Sequence, residues 1–165
     1  MNLRHRRALA VVLGAAFFVL VPPLAPPARA LEAIVFLSDA QPSVWGTGIG
    51  GTLSSTWFKL LAIEGEVARQ PGQPLNSSMT SFTAGAFLAP PVGALTPYGG
   101  FGVGIFRQSR GVLRDNGTLK AFVLGVKLKL GDLVVIRGEY RAISLSGEPL
   151  LDMERRLSAG IGVSF

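Results

Sequence analysis

The sequence predicts an all-β fold: an eight-stranded antiparallel up-and-down barrel that crosses a membrane, preceded by a cleavable signal peptide. Three observations predict it. The terminal run Leu157-Ser158-Ala159-Gly160-Ile161-Gly162-Val163-Ser164-Phe165 sets apolar side chains at every odd position against small ones at every even position, over about the length of a tilted bilayer crossing. The same period of two recurs along the chain after residue 30, where no apolar run reaches the roughly 20 residues of a helical span. Where alternating segments carry charge, it falls on one face, and the larger aliphatic side chains occupy the other.

The N-terminus reads as a secretory signal. Arg4, Arg6 and Arg7 precede an apolar run from Ala8 to Val21, which Pro22 and Pro23 end, and Ala28-Arg29-Ala30 offers a small-x-small cleavage site. The expected division is a signal peptide over 1–30 and one barrel domain over 31–165. Removing Arg4, Arg6, Arg7 and Arg29 from the 16 basic residues leaves 12 against 10 acidic ones, so the strongly basic character belongs largely to the leader. The remainder has no basic stretch interleaved with aromatics, which argues against a nucleic-acid partner. Without cysteine there is no disulfide framework, thiolate nucleophile or lipidated residue.

Eight alternating segments are expected at about 32–38, 44–54, 57–68, 78–89, 97–108, 118–130, 133–145 and 154–165. Eight is even, as a closed bacterial barrel requires. Tight links are expected at Ser54-Ser55-Thr56, Pro90-Pro91-Val92-Gly93 and Gly131-Asp132, the last as a hairpin turn. Longer polar connections are expected at Gln70 to Ser77, at Gln108 to Gly117 with an Asn116-Gly117 turn, and at Ser146 to Met153. Short turns and both chain ends then face the periplasm, and long loops the exterior. The first connection, Asp39 to Ser43, is short for an external loop.

The face assignments locate the charges. Leu61, Ile63 and Val67 oppose Ala62, Glu64 and Glu66 in the third segment. In the sixth, Phe122, Leu124, Val126, Leu128 and Leu130 oppose Ala121, Gly125, Lys127 and Lys129. In the seventh, Val134, Ile136, Tyr140 and Ala142 oppose Arg137, Glu139 and Arg141. Third and seventh strands lie across an eight-stranded ring, so Glu64 and Glu66 are expected to meet Arg137 and Arg141, with Glu139 and Lys127 in the same network. Buried carboxylates are tolerable when paired and hydrogen-bonded. Glycines at 46, 48, 50, 100, 102, 104, 160 and 162 leave room for these groups, and an interior this narrow predicts a packed, non-conducting lumen. Trp45, Trp57, Phe58, Tyr98 and Phe165 stand near strand ends, where interfacial aromatics belong.

Three stretches carry a family resemblance: Tyr98-Gly99-Gly100-Phe101-Gly102-Val103-Gly104-Ile105, Arg137-Gly138-Glu139-Tyr140-Arg141, and the terminal Ala159 to Phe165. They resemble small outer-membrane β-barrel proteins of the OmpA/OmpX type, barrel domain only, over essentially the whole chain after the leader. The resemblance implies residence in the bacterial outer membrane and contact with its lipid. It also implies recognition by the barrel assembly machinery through Leu157, Ala159, Ile161, Val163 and Phe165. The resemblance covers the barrel alone, so the peptidoglycan-binding role of OmpA's domain beyond the barrel is not expected to carry over.

Other motifs have plainer readings. Gly46-Thr47-Gly48-Ile49-Gly50-Gly51 matches G-x-G-x-x-G, with Glu66 downstream, but a dinucleotide site needs a following helix where this chain alternates. Asn76-Ser77-Ser78 and Asn116-Gly117-Thr118 are glycosylation sequons by letter only, and Asp115-Asn116-Gly117 reads as a turn before a calcium site. Barrel enzymes acting on lipid A or on peptides generally rely on histidine, and the one histidine, His5, lies in the leader. Glu64 and Glu66 could serve acid-base chemistry, although inward Arg and Lys beside them favour structural pairing. No catalytic, metal or cofactor site is expected. The expected function is a non-enzymatic outer-membrane barrel that contributes to envelope structure or presents short loops to a partner the sequence does not identify. The alternative is a soluble periplasmic or secreted lipocalin-like barrel binding a small apolar ligand, which would need an apolar lumen.

Overall fold

The computed structural model describes residues 30–58, 60–73 and 76–165, and the expected leader, apart from Ala30, lies outside them. Eight strands follow in chain order: β1 Ala30–Gln41, β2 Gly48–Trp57, β3 Leu61–Pro71, β4 Ser78–Leu88, β5 Leu95–Arg110, β6 Leu113–Leu130, β7 Val134–Ser146 and β8 Arg155–Ser164. Each pairs antiparallel with its neighbours, and β1 pairs with β8 to close the barrel. The seam continues to the chain end, where Leu31 and Phe165 exchange backbone hydrogen bonds of 2.9 Å. Closure leaves no strand edge within the ring for another chain to pair with.

Alternation decides what each strand buries. On β1, Glu32, Ile34, Phe36, Ser38 and Ala40 point inward and are buried, while Val35 and Leu37 are exposed. On β3, Ala62, Glu64, Glu66, Ala68 and Gln70 are inward. Leu124, Ile136 and Ile161 point away from the axis with 49%, 41% and 56% of their surface exposed, which sets the greasy face outside.

Two expected turns lie within strands instead. Ser54-Ser55-Thr56 continues β2, with Ser54 opposite Glu32 and Glu64, and the chain reverses only at Phe58, where Leu60 N–H donates to the Trp57 carbonyl. The inward Ser54 hydroxyl bonds Glu32, so keeping this segment in the sheet satisfies a buried carboxylate. Asn116 and Gly117 likewise sit in β6, opposite Arg107 and Phe106. The β5–β6 reversal uses Gly111 and Val112, because Gly111 supplies the positive φ of 61° that a two-residue hairpin turn demands. A Cβ on Gly117 would lie 2.6 Å from the Phe106 ring, so that glycine serves close approach. The first connection, 42–47, is longer than the sequence suggested because β2 begins later.

The lumen also holds an apolar layer that sequence reasoning left out. Trp45, Met79, Phe106, Leu119, Ile143 and Met153 pack together toward the loop end, with Phe87 and Tyr98 farther in. Trp45 is 3% exposed and donates its indole N–H to the Asp152 carbonyl at 2.8 Å, so it joins two loops over the barrel mouth. Tyr98 faces the lumen and is 5% exposed. Neither is an interfacial aromatic. Phe58 and Phe165, at 73% and 64% exposed, are placed as an interfacial reading requires.

Candidate functional site

The most distinctive chemistry lies in mid-barrel. Arg137 on β7 and Glu64 on β3 meet across the lumen through two hydrogen bonds, Nη1 to Oε2 at 2.6 Å and Nη2 to Oε1 at 3.0 Å, the forked geometry that suits guanidinium to carboxylate. Arg137 also donates to the Thr52 hydroxyl at 3.1 Å and pairs with Glu139 on its own strand. Residues two apart share one strand face, which is why β7 can present Arg137, Glu139 and Arg141 as a single inward row.

Arg141 extends the chain of pairs. It donates through Nε to Glu139 at 2.5 Å and through Nη2 to Glu64 at 3.0 Å, and lies 2.8 Å from Glu66. Arg156 on β8 closes the far side, 2.5 Å from Glu66. Its guanidinium also stacks 5.3 Å from the Phe36 ring centroid.

A second cluster lies nearer the chain ends. Lys127 donates to Glu32 at 2.5 Å and to Ser54 at 3.4 Å, with the half-exposed Lys129 at 3.6 Å from the same carboxylate. Tyr98 bridges the clusters: its hydroxyl donates to Glu139 at 2.8 Å, while Lys127 and Arg137 lie 5.5 Å and 5.3 Å from its ring centroid. Glu32, Glu64, Glu66 and Glu139 are thus matched in number by the buried Lys127, Arg137, Arg141 and Arg156.

Of the residues expected from sequence, Glu64, Glu66, Arg137, Glu139 and Arg141 come together directly. Lys127 joins through Tyr98 and pairs instead with Glu32. Glu32 and Arg156 were missed, although parity places both inward: Glu32 shares a face with Ile34 and Phe36, and Arg156 shares one with Gly160 and Gly162. On β1 the signal was masked because apolar residues occupy both faces at 33–37.

No family model and no curated protein matches the sequence. Solved structures do match the fold. Neisserial surface protein A aligns with a TM-score of 0.63 at 16% identity, covering 83% of this chain and 96% of that one. The N-terminal β-barrel domain of Pseudomonas aeruginosa OprF aligns at 0.55 with 17% identity, covering 82% and 97%. Ail, the attachment invasion locus protein of Yersinia pestis, aligns at 0.53 with 13% identity, covering 85% and 100%. The chain has the fold of the small OmpA/OmpX-type outer-membrane barrels.

Within this barrel, glycine makes the room that the large inward groups occupy. A Cβ on Gly125 would fall 2.3 Å from the Tyr98 ring, and one on Gly50 would fall 2.3 Å from Phe36. The network therefore fills space as well as pairing charge. Among the described residues no cluster of His, Cys, Asp and Glu is arranged to hold a metal ion. The outer positions Leu157, Ala159, Ile161 and Val163 follow one another down β8, with Phe165 just after it, on the surface away from the lumen.

Proposed function

We propose that this chain is a non-enzymatic integral protein of the bacterial outer membrane, with a closed lumen whose ion pairs serve stability. One observation carries the reading: Val35, Phe101, Val103, Ile105, Leu124 and Ile161 cover the outer wall, whereas Glu64, Glu66, Arg137 and Arg141 are buried within. In water that exterior would be a large exposed apolar surface; in a bilayer it is the solvent-compatible face. The pairing of Arg137, Arg141 and Arg156 each to a carboxylate argues for a structural network over an acid-base site.

The surface element offered to a partner is the β5–β6 hairpin. Its strands run 16 and 18 residues and end at Val112, which is 96% exposed between Arg110 and Arg114. The outward face of β8, ending at Phe165, is the proposed recognition segment for the barrel assembly machinery.

A heat-modifiability gel on the outer-membrane fraction tests the reading. A folded barrel resists SDS unboiled and migrates differently after boiling. Recovery as a freely soluble protein without that shift overturns the proposal and favours a soluble ligand-binding barrel, a reading that the charged mid-lumen opposes.

A further inference from the structure

The β5–β6 hairpin outgrows the sheet on one side only. β5 stays paired with β4 as far as Ser109, which lies opposite Ser78. β6 loses its other neighbour earlier, because the β7 ladder ends with Ser146 opposite Thr118 and Gly147, at a φ of 121°, turns the chain aside. From Leu113 to Gly117, β6 therefore has β5 on one flank and no strand on the other.

Turn geometry fixes which backbone groups stand on that open flank. The two-residue turn at Gly111 and Val112 makes Arg110 and Leu113 a hydrogen-bonded pair, so Leu113, Asp115 and Gly117 face β5. Arg114 and Asn116 present their N–H and C=O groups to the other side. The Asn116 carbonyl points toward the departing chain, since a Cβ on Gly147 would lie 3.8 Å from its oxygen. Among the described residues, no loop or turn backbone bonds to Arg114 or Asn116, and the ladder with β7 has already ended. These donors and acceptors stand in a row, the template that an extended chain completes.

Charge narrows the occupant. On the outward face Arg114 stands beside Asn116, and Arg107 is the partner of Asn116 on β5; all three are exposed. None of the ion pairs among the described residues uses Arg107, Arg110 or Arg114. Asp115, half-buried, belongs to the inner face, and Glu148 stands beyond Gly147. A second copy in the same membrane does not fit. Its β6 also runs from the loops into the bilayer, whereas two equivalent edges pair symmetrically only when antiparallel.

We infer that the β6 edge from Leu113 to Gly117 binds an extended polypeptide segment of another protein as an added antiparallel strand, with carboxylates at alternate positions. Residues opposite Arg114 and Asn116 make the backbone bonds and set their side chains on the outward face, where the guanidinium groups of Arg107 and Arg114 meet acidic groups. The residue between them lies on the side of Asp115 and is uncharged or basic. The inference rests on the reading above, in which this hairpin is the surface that a membrane barrel offers to a partner.

The test uses the full chain folded in neutral detergent micelles and a fluorescein-labelled octapeptide of alternating glutamate and valine, followed by fluorescence anisotropy. Two comparison peptides separate backbone from charge. One carries lysine in place of glutamate; the other is N-methylated at every glutamate, which keeps the charge and removes the donors that would face β6. The wild type is expected to bind the parent peptide about tenfold more tightly than either. Asn116→Pro removes one edge donor without touching the bonds to β5 and weakens binding by roughly tenfold. Arg114→Glu abolishes the preference for glutamate over lysine, while Arg155→Ala, at an exposed position on β8, changes nothing. An N-methylated peptide held as tightly as the parent, or Asn116→Pro binding like the wild type, overturns strand addition. Equal binding of the lysine peptide overturns the acidic partner. Unboiled gels of the same samples separate the two ideas: no folded-barrel shift in the wild type overturns the membrane reading together with the edge site, whereas a normal shift without peptide preference overturns the edge site alone.

Discussion

Glu64 and Arg137 stand on strands that never touch, yet their side chains meet mid-lumen in two hydrogen bonds of 2.6 and 3.0 Å. They brace the barrel across its diameter. With Glu139 and Arg141, and with the Lys127–Glu32 and Arg156–Glu66 pairs, they give each buried charged residue among the described ones an opposite partner, the condition under which an interior ionic cluster is tolerated.

Removing either partner should therefore be worse than removing both. Glu64→Ala or Arg137→Ala is expected to lower stability by about 3–5 kcal/mol, and a Glu64→Leu/Arg137→Met pair by less. Urea unfolding of the refolded barrel, followed by unboiled gel mobility, measures the order. Single variants that unfold like the parent would show that these charges are solvated.

Tyr98 gives a narrower test. Tyr98→Phe keeps the ring between Lys127 and Arg137 but removes the 2.8 Å bond to Glu139, with an expected loss of about 1.5–3 kcal/mol. Unfolding midpoints in urea measure it, and a midpoint equal to wild type contradicts the bridging role.

Glycine positions should divide by the space beside them. Gly125→Val is expected to displace Tyr98 and cost about 1–3 kcal/mol, because an added Cβ would sit 2.3 Å from the ring. Gly138→Ala, with no atom within 4 Å of the added carbon, is the matched control and should be nearly neutral. Comparable losses at both sites would refute the packing argument.

Trp45 should behave as a core residue despite its loop position. Trp45→Ala is expected to cost about 3–5 kcal/mol and to free the connection it holds through Asp152. In a Trp57→Phe background the remaining Trp45 fluorescence should resist aqueous quenchers, and ready quenching would place it outside the mouth.

The assembly reading predicts a split between test tube and cell. Deleting Phe165 should leave refolding in detergent intact while reducing the folded fraction in the outer membrane, compared by unboiled gels of both preparations. Equal folded fractions in cells would remove Phe165 from the recognition segment.

Strand number, the inward side of β3, β6 and β7, and the outward greasy wall were legible in sequence because a period of two is local: each residue's side follows from its neighbours two positions away. The inward row Arg137, Glu139 and Arg141 needed nothing more. What only the tertiary structure decided depends on register and closure. Lys127 pairs with Glu32, and Ser54 stays in β2 beside that carboxylate, because β1 lies against β2 and β8 at one particular offset. Trp45 folds inward because loops from opposite ends of the sequence meet over the closed ring, and Gly111 replaces Asn116-Gly117 as the reversal because β5 and β6 continue pairing past it. Polarity chooses a face residue by residue; the partner across the lumen is fixed only when the whole sheet closes.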